Sequence, residues 1–522
     1  MKKFKQYLPD GLSAEIHDNV ATFEVQPSDI LRVVHELSAE KKLTFKLLDA
    51  TDERAENGCF KIWYVFGVPG ANLFVTPYIR IAKTEEFPSI NSVVHAAGQY
   101  ERKVKDFFGL TPVGNPDQRR LILHENWPEG HYPMRKDFKF DTRPKTATGT
   151  YQFQFVDGEG IYEIPVGPIH AGIIEPGHFR FSVAGESIML LEARLGFVHK
   201  GHEKLFEKLE LNDALRLSEK ISGDSSFSHS LAFCQAVEQL AGITVPKRAL
   251  YLRTMYAELE RLANHIGDIG FIMLDTGFNF GGANGQRMRE IVMRINQRLT
   301  GSRFLRGVNT FGGVNKDITD DQKEALANEL AALLKDFKEV IDIADDSASL
   351  QNRLKTTGTL AFGIARDYGA VGVPARAVGI PTDARSEYPY AAYGMLTPRP
   401  IASEVTGDVN ARFRIRIQEV YASIGIVREV LDKMPQGYIA APHHDKIALN
   451  KNAVAVGCVE GWRGEIVHFI ATDKNGKISR VIIRDPSFIN WQLVGFCGQN
   501  QIVPDFPLIN KSFNLSYTGN DL

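Results

Sequence analysis

The side chains best suited to metal or redox chemistry in this sequence are its cysteines, and their spacing argues against a site. No CxxC pair occurs, and no Cys/His cluster has the spacing that zinc requires. We interpret the four cysteines of the chain as free buried thiols in a reducing cytoplasm. No GxGxxG turn with a downstream acid follows a strand, so the sequence predicts no nicotinamide site. The single cysteines are Cys59, Cys234, Cys458 and Cys497.

The bulk composition is that of a globular protein with more than one domain. The chain has 522 residues, of which 43% are hydrophobic and 24% charged, with a net charge of −2. This balance gives no electrostatic case for binding nucleic acid. The lysine-containing N-terminus lacks an apolar core, and no run of about eighteen apolar residues occurs. We therefore expect neither a signal peptide nor a membrane-spanning helix, although the chain could dock onto a membrane protein.

The elements of residues 1–142 predict a small α+β domain. Ser28 is a candidate N-cap for a first helix, and a second helix is expected from about Pro88 to Phe108. The apolar and β-branched runs between them predict strands. Residues 143–160 are poor in apolar side chains, and we predict that they form a linker.

Residues 161–522 predict a mainly helical domain with small β-sheets at its entry and near its exit. A long amphipathic helix is expected after Pro246. Thr319 and Gln322 have the spacing of a capping box at the start of another helix. Asn475-Gly476 lies between two runs of alternating hydrophobicity and predicts a tight β-hairpin.

Two series of motifs cover nearly the whole chain and carry a family resemblance. The first series resembles the 30-kDa-type subunit of complex I and the fused N-terminal domain of formate-hydrogenlyase-type hydrogenases. The second is similar to the 49-kDa-type subunit of complex I and to the large subunit of energy-converting nickel–iron hydrogenases, and it leans toward the hydrogenase branch. The motifs are Tyr100-Glu101-Arg102, Asp106-Phe107-Phe108-Gly109, Gly114-Asn115-Pro116-Asp117 and Pro133-Met134-Arg135-Lys136-Asp137-Phe138 in the first series, and Gly167-Pro168-Ile169-His170-Ala171-Gly172, Gly177-His178-Phe179-Arg180-Phe181, His199-Lys200-Gly201-His202-Glu203, Glu258-Leu259-Glu260-Arg261 and Glu460-Gly461-Trp462-Arg463-Gly464-Glu465 in the second.

The resemblance implies a nickel–iron centre held by two CxxC pairs, because soft thiolates bind and bridge these metals. In this sequence the first pair of ligand positions is occupied by Ser222 and Ser225. The second pair falls near the end of the chain, at Ser516 and Gly519. A serine hydroxyl is a poor ligand for a soft metal, and glycine has no side chain. We therefore expect no nickel–iron centre and no hydrogenase activity.

Complex I binds a quinone headgroup in the corresponding cavity, and the resemblance makes a quinone a candidate cofactor here. The tyrosine that anchors the headgroup in that family aligns with Gly223, so this donor is missing. The second anchor is a histidine on the first hairpin loop, for which His178 is the first candidate and His170 the second. Asp224 lies between the lost ligand positions and is a third candidate for the cofactor site.

Three further residues receive roles from the resemblance, and each has a structural alternative. Arg463 matches an arginine above the metal site, or it pairs with Glu460 or Glu465. Glu203 matches a carboxylate used for proton passage or for structural magnesium, or it is a solvated residue at a helix start. His265 matches a histidine beside the terminal cluster of the neighbouring subunit, where it could couple proton uptake to cluster reduction, or it is a satisfied core histidine.

Two functions remain open from the sequence. In the first, the chain is a peripheral subunit on the cytoplasmic face of the inner (plasma) membrane. It takes electrons from a [4Fe-4S] cluster of an iron–sulfur small subunit, reduces a quinone-like or unknown acceptor and is coupled to antiporter-like membrane subunits. In the second, it is a non-catalytic scaffold or conformational-coupling subunit. Retention of Arg463, Glu203 and His265 favours the first, because buried charges are costly to keep without a use.

Overall fold

The chain forms a sheet-rich N-terminal part followed by a mainly helical part with small sheets, as the sequence predicts. A computed structural model describes residues 2–82, 84–170, 174–442 and 447–522. Among these residues, no helix is long and apolar enough to cross a membrane.

The N-terminal part contains a five-stranded sheet with helices packed against it and a separate pair of short parallel strands. Its elements are Glu15–His17 (β1), Val20–Glu24 (β2), Ile30–His35 (α1), Thr44–Glu53 (β3), Arg54–Asn57 (α2), Cys59–Val68 (β4), Leu73–Ile81 (β5), Glu86–Pro88 (β6), Ala97–Phe108 (α3) and Thr111–Val113 (β7). The strand order is β1-β2-β5-β4-β3, with β2 and β5 parallel and the other neighbours antiparallel. Strands β3 and β4 are almost completely buried, because both faces of the sheet are covered.

The first helix starts later than the sequence indicates. Ser28 does not cap it; this residue lies inside a short 3-10 turn, Pro27–Asp29, and the α-helix begins at Ile30. Pro27 stands at the first position of that turn, where its fixed φ and missing N–H are tolerated. The proline, rather than the serine, therefore sets the local start.

Helix α3 also starts later than predicted, at Ala97 instead of Pro88. The carboxylate of Glu101 accepts hydrogen bonds from Ser89 Oγ at 2.6 Å and from the Ile90 N–H at 2.7 Å. These bonds hold the preceding segment in a turn that a helix could not form. The end of α3 lies where it was predicted.

The second part contains most of the helices of the described chain. The elements of this part are Ile161–Val166 (β8), His178–Ala184 (β9), Ser187–Arg194 (β10), His202–Phe206 (α4), Leu211–Ser218 (α5), Ser226–Ala241 (α6), Lys247–Asp275 (α7), Asn279–Thr300 (α8), Asn309–Thr310 (β11), Gly313–Val314 (β12), Asp320–Asp346 (α9), Ala348–Leu354 (α10), Phe362–Asp367 (α11), Val373–Arg376 (α12), Ala384–Glu387 (α13), Val409–Lys433 (α14), Val454–Gly461 (β13), Gly464–Thr472 (β14), Ile478–Arg484 (β15), Pro486–Gly498 (α15), Phe506–Phe513 (α16) and Tyr517–Asp521 (α17). Helix α7 lies between its neighbours α8 and α14 and carries buried residues on every side.

Two local predictions in this part are confirmed. Thr319 and Gln322 form a complete capping box at the start of α9. Strands β14 and β15 form an antiparallel hairpin around Asn475-Gly476, and Gly476 adopts a positive φ of 79°. Both signals are local, so long-range contacts do not override them.

Residues 143–160, where we predicted a linker, contain neither helix nor strand. They lie along β10, whose Glu192 carboxylate accepts hydrogen bonds from the Tyr151 hydroxyl at 3.1 Å and the Gln154 N–H at 2.8 Å. The segment is thus tied to the second part by side-chain contacts.

The sheet of β13, β14 and β15 lies between the two parts and joins their cores. Its alternate residues point in opposite directions: Val454 and Phe469 pack with the N-terminal sheet, while Ala455 and Ile470 pack beside α6. The ring of Phe469 lies 5.3 Å from that of Trp63 in the N-terminal part. Because both faces are covered, every residue of β13 and β14 is buried.

Candidate functional site

The fold brings together two pairs of positions that are far apart in the sequence: Ser222 and Ser225, and Ser516 and Gly519. We call these four residues the serine site. The hydroxyls of Ser222 and Ser516 lie 2.9 Å apart and share a hydrogen bond. Ser516 caps the last helix, α17, and its Oγ accepts from the Gly519 N–H at 2.9 Å. The positions that the family resemblance assigns to metal ligands thus converge in space.

The loop that carries Ser222 and Ser225 is held by α7. Glu260 of α7 accepts hydrogen bonds from the backbone N–H groups of Phe227 and Ser228, at 2.7 and 3.1 Å, and so caps α6 from outside. Burial is the main cause that raises the pKa of this glutamate to about 7. Asn264, one turn further along α7, donates to the Asp224 carbonyl at 2.9 Å.

An ion pair fills the centre of the serine site. Both terminal nitrogens of Arg463 lie 2.7 Å from the carboxylate oxygens of Asp224, in a two-pronged arrangement. Ser222 Oγ donates to the same carboxylate at 3.0 Å. Burial acts to raise the pKa of Asp224, but the charge and hydrogen bonds of Arg463 outweigh it and lower the pKa. Asp224 is therefore an anion that accepts hydrogen bonds, and about a third of its side chain, 32%, is exposed.

Arg463 lies in the turn between β13 and β14, and neighbouring groups hold it on three sides. Its Nε donates to the Asn514 carbonyl at 2.6 Å, and its guanidinium lies 3.9 Å from the centre of the Trp462 ring. The Trp462 N–H donates to the Asp224 carbonyl at 3.1 Å. The guanidinium is thus positioned by its neighbours before any ligand arrives.

The alternative partners suggested for Arg463 by the sequence are wrong. Glu460 instead contacts Arg376 at 3.3 Å. Glu465 contacts Lys46 at 2.7 Å and also pairs with Arg484. Because these two glutamates already hold other cations, Arg463 pairs with Asp224, which is 239 residues away in the sequence.

Asp485 closes the serine site behind Gly519. A Cβ atom added at Gly519 would lie only 2.6 Å from the carboxylate carbon of Asp485. The carboxylate is held by His229, whose Nε2 lies 3.0 Å from Oδ2, and His229 Nδ1 in turn lies 3.1 Å from Nε2 of His468. Burial acts to raise the pKa of Asp485, and the hydrogen bond from His229 contributes to lowering it overall.

These residues do not fit a nickel–iron centre. Two of the four ligand positions, Ser222 and Ser516, are hydrogen-bonded to each other, and the third serine, Ser225, has a neutral hydroxyl. A side chain at Gly519 would collide with Asp485. Among the described residues, no three His, Cys, Asp or Glu side chains are grouped so that they could hold a metal ion.

The two loop histidines lie beside the serine site without touching it. His178 is the first residue of β9, and its Nδ1 lies 3.1 Å from the Gly167 carbonyl. Within the described part of the chain, Nε2 of His178 and Nε2 of His170 have no hydrogen-bond partner. The same loop reaches the site through Glu175, which accepts from the Thr518 N–H at 2.9 Å. Ala171 and Gly172 of the loop motif lie outside the described residues.

Glu203 is buried in an ion cluster between the two parts of the chain, so it is not a solvated helix-start residue. It lies 2.8 Å from Lys103 and 2.9 Å from Arg480. The same two cations also contact Asp49, at 2.9 and 3.0 Å. Burial alone would raise the pKa of Glu203, but Arg480 and Lys103 lower it to about 2. Its contacts are with this cluster and not with Arg463 or Asp224.

His265 is completely buried and lies on α7 between the serine site and a cluster of arginines. Neither ring nitrogen has a hydrogen-bond partner among the described residues, so it is not a satisfied core histidine. Its ring stands edge-on to Trp462, with centroids 6.1 Å apart. Burial, followed by the charges of Arg416 and Arg261, lowers the pKa of His265 well below its ordinary value. The imidazole is therefore neutral in this structure.

Sequence reasoning missed two members of the site, Asp485 and His468. Asp485 directly precedes Pro486 and also caps α15 by accepting from the Ser487 N–H, so its position is typical of an ordinary N-cap. His468 lies inside the fully buried strand β14, whose other ionisable residue is Glu465. A histidine in a buried strand was the one available signal, because a buried polar side chain rarely lacks a partner.

Comparisons with known proteins identify the family of this chain. The family described as respiratory-chain NADH dehydrogenase, 49 Kd subunit, matches residues 275–457 and 450–521. The family described as respiratory-chain NADH dehydrogenase, 30 Kd subunit, matches residues 23–144. The two matches fall on the helical part and on the sheet-rich part respectively.

Relatives of similar overall length share both parts. Formate hydrogenlyase subunit 5 of Escherichia coli is 33% identical over 513 residues, which cover 96% of this chain and 88% of that protein. The C/D-type NADH-quinone oxidoreductase subunit of Phocaeicola vulgatus is 31% identical over 412 residues, covering 76% of this chain and 79% of that protein. Oxidoreductase subunits of the hydrogenase and complex I type are thus its relatives.

A solved structure shows the same fold over most of this chain. A chain of the membrane-bound sulfane sulfur reductase, an archaeal respiratory membrane complex, superposes with a TM-score of 0.66 and 24% identity, covering 70% of this chain and 100% of that chain. The protein belongs to the family in which a 30-kDa-type and a 49-kDa-type complex I subunit are fused, together with the large subunits of membrane-bound hydrogenases.

Proposed function

We propose that this chain is the electron-accepting subunit of a membrane-associated respiratory complex, and that it reduces a quinone-like acceptor at the serine site without a nickel–iron centre. Electrons come from a [4Fe-4S] cluster of an iron–sulfur partner subunit. The complex lies on the cytoplasmic face of the membrane and is coupled to antiporter-like subunits that move ions. The name of one relative, a C/D-type NADH-quinone oxidoreductase subunit, supports a quinone as the acceptor.

The observation that carries this proposal is the Arg463–Asp224 pair at the convergence of the four former ligand positions. Arg463 is buried, and a buried cation held by several hydrogen bonds is costly to retain unless it is used. A guanidinium is a donor suited to a carbonyl oxygen, and it binds this oxygen more tightly as the oxygen gains negative charge.

The chemistry assigned to the site is a two-electron reduction. A quinone takes two electrons from the partner's cluster and two protons, and it becomes a hydroquinone. Arg463 donates a hydrogen bond to the oxygen that becomes negative, and Asp224 keeps the guanidinium oriented. Asp224 is already ionised, so it does not supply the protons itself.

The other predicted residues take supporting roles in this proposal. His265 is neutral and can accept a proton when the neighbouring cluster becomes negative. His178 and His170 belong to the loop that borders the site and offer ring nitrogens without partners in the described structure. Glu203 ties the N-terminal part to the second part, and through β15 it supports the wall of the site.

A non-catalytic scaffold is the second candidate, and one observation favours it. Asp485 occupies the space that a side chain at Gly519 would enter, and Ser222 is hydrogen-bonded to Ser516. Protein atoms therefore close part of the site that the family resemblance assigns to the metal. A closed site is what a subunit kept only for assembly or conformational coupling requires.

The deciding experiment uses the whole complex, purified through this chain. Metal analysis, paramagnetic spectroscopy and extraction of bound quinone are made on one sample, and a short-chain ubiquinone is the added probe. We expect iron–sulfur signals without nickel, and a change in those signals when the quinone is added. Stoichiometric nickel overturns the absence of a nickel–iron centre, and a complex with clusters that does not respond to quinone supports the scaffold.

A pair of variants separates the serine site from the rest of the complex. Arg463→Gln removes the forked donor, and we expect the response to the quinone probe to fall at least tenfold. Arg303→Gln breaks an exposed ion pair with Glu290 on α8, and this matched control should leave the response unchanged. Equal effects of the two variants would contradict the assigned role of Arg463.

A further inference from the structure

A cleft of about 300 Å³ separates β3 of the N-terminal part from the second part of the chain. Phe45, Phe362 and Pro381 contribute to its walls, and charged side chains lie among them. The carboxyl groups of Glu387 and Glu460 both face this space. We call it the interdomain cleft.

The charges around the interdomain cleft do not balance. Six carboxyl groups, Glu460 included, share five cations, and almost all of these groups are buried. A buried carboxylate without a partner cation is strongly disfavoured, so one proton on the cluster restores neutrality. Beside Glu460, the titratable groups are the cations Lys46 on β3, Arg261 on α7, Arg376 on α12, Arg385 on α13 and Arg484 on β15, the carboxyls Glu258 on α7, Asp383 and Glu387 around α13, Glu419 on α14 and Glu465 on β14, and the phenols Tyr388, Tyr390 and Tyr393.

Glu460 and Glu387 have the fewest ionic partners in this cluster, because each of the other four carboxyls contacts two cations. Glu460 contacts Arg376 at 3.3 Å and accepts the Ala384 N–H at 3.0 Å. By contrast, Asp383 lies 2.7 Å from Arg385. Glu387 forms no ion pair within the described residues. If one carboxyl of the cluster holds a proton, protonation is therefore least unfavourable at these two residues.

The same two carboxyls have the highest affinity for a proton. Burial, followed by the negative charge of Asp383, raises the pKa of Glu460 to about 8. Burial raises the pKa of Glu387 to about 7. Glu419 differs, because the charges of Arg385 and Arg376 overcome the effect of burial and lower its pKa to about 2. The excess proton is thus localised at the cleft.

The cleft is also connected to the turn that presents Arg463. A Cβ atom at Gly372, in the cleft wall, would lie 2.1 Å from the carbonyl oxygen of Arg463, so the wall and the turn are in direct contact. Arg261 of α7 donates to the Glu460 carbonyl at 2.6 Å. A change of charge at Glu460 therefore acts on the strand that ends in this turn.

We propose that the interdomain cleft is a proton-exchange site, in which Glu460 holds one proton inside the protein and Glu387 passes it to water in the cleft. The proton leaves the Glu460 carboxyl, the Glu387 carboxylate accepts it and then releases it to solvent, and no electrons move in this step. The proposal rests on the cleft alone. It does not depend on the proposed quinone reduction.

Infrared spectroscopy of the purified full chain tests the proposal without any activity assay. The wild type is compared with Glu460→Gln and Glu387→Gln at a series of pH values between about 6 and about 9, which bracket both groups. In the difference between wild type and Glu460→Gln, we expect a protonated-carboxyl band at neutral pH that fades as the pH passes about 8. In Glu387→Gln this band should remain, but the exchange of the carboxyl proton for deuterium in deuterated water should slow at least tenfold.

The control and the contrary outcomes are defined on the same samples. Glu290→Gln changes an exposed carboxylate on α8 and should leave the protonated-carboxyl region unaltered. A difference spectrum of Glu460→Gln without this band at neutral pH overturns the proposal. If Glu460→Gln does not fold, the wild type and Glu387→Gln decide: a wild-type carboxyl absorbance that stays constant over the pH series, or unchanged exchange in Glu387→Gln, also overturns it.

Discussion

The carboxylate of Asp485 occupies the space that any side chain at Gly519 would enter, with 2.6 Å between its carbon and a Cβ atom at that position. Position 519 is one of the four where the family resemblance requires a thiolate. A thiolate side chain at position 519 and the Asp485 carboxylate would therefore compete for the same space. We expect that restoring the thiols alone does not restore the cavity.

A direct consequence concerns substitutions at position 519. We expect Gly519→Ala to lower the free energy of unfolding by about 1–3 kcal/mol, the usual cost of overpacking, measured by chemical denaturation. In a chain that already carries Asp485→Ala, the same Gly519→Ala change should cost less, because the colliding carboxylate is gone. Gly363→Ala is the matched control, because nothing lies within 4 Å of a Cβ there. A Gly519→Ala protein as stable as this control would contradict the close contact.

Metal binding gives a second prediction. A variant with cysteine at Ser222, Ser225, Ser516 and Gly519 should bind less than one nickel per chain, because Asp485 collides with the fourth side chain. Adding Asp485→Ala should raise the nickel content, measured by elemental analysis after dialysis. Full nickel loading of the four-cysteine variant with Asp485 intact would show that the site relaxes more easily than its contacts indicate.

The ion pair at the serine site should be worth more than a surface pair. Because Asp224 is about a third exposed, we expect Arg463→Gln to cost about 1–3 kcal/mol, less than the full cost of breaking a buried pair. The double variant with Asp224→Asn should be less destabilised than the sum of the single variants, since no unpaired charge remains. A double-mutant cycle measures this coupling, and strictly additive effects would argue against the pair.

Acid stability should depend on Glu203. Its pKa is lowered in the folded chain, so it contributes stability above its ordinary pKa of 4.5, and this is lost as the pH falls toward 2. The contribution at neutral pH is about 3 kcal/mol, from about 1.4 kcal/mol per pH unit. We expect Glu203→Gln to be less stable at neutral pH and to have a shallower loss of stability below pH 4.5. The measurement is the denaturation midpoint from about pH 6 down to about pH 3; parallel curves for the two proteins would refute the assignment.

His265 should produce a pH dependence in a different range. Its folded pKa is well below the ordinary 6.5, so the unfolded chain binds the proton first and stability falls as the pH drops below 6.5. The expected slope is about 1.4 kcal/mol per pH unit for this group. His265→Leu should remove that component, whereas His35→Leu, at an exposed position, should not. Thermal midpoints between about pH 7 and about pH 5 give the comparison.

The parts of the fold that sequence reasoning predicts are those fixed by neighbouring residues. The capping box at Thr319 and the hairpin at Asn475-Gly476 need only a few adjacent residues, and both are present. The start of α3 fails because Glu101 binds Ser89 and the segment after it, a contact that helix propensity does not include. Neighbouring residues therefore predict a helix or strand correctly, unless a side chain from elsewhere forms hydrogen bonds with the same backbone segment.

The site divides in the same way. The family motifs assign both Ser222 and Ser516 to metal-ligand positions, and in the structure their hydroxyl oxygens lie 2.9 Å apart. The partner of Arg463 could not be predicted, because the nearest acids in sequence, Glu460 and Glu465, are already bound to other cations. The assignment of partners in a buried ion network is a property of the whole fold.

Helix α7 has a consequence for how the molecule responds to its surroundings. Its 29 residues form a rod about 43 Å long, and this one rod carries Glu260, His265 and Asp268 within little more than two turns. Glu260 caps the loop of the serine site, and Asp268 holds Arg416 at 2.9 Å. A push or rotation applied at either end of such a rod shifts all three residues together. A displacement of α7 by a neighbouring subunit would therefore reach the serine site and Arg416 in a single movement.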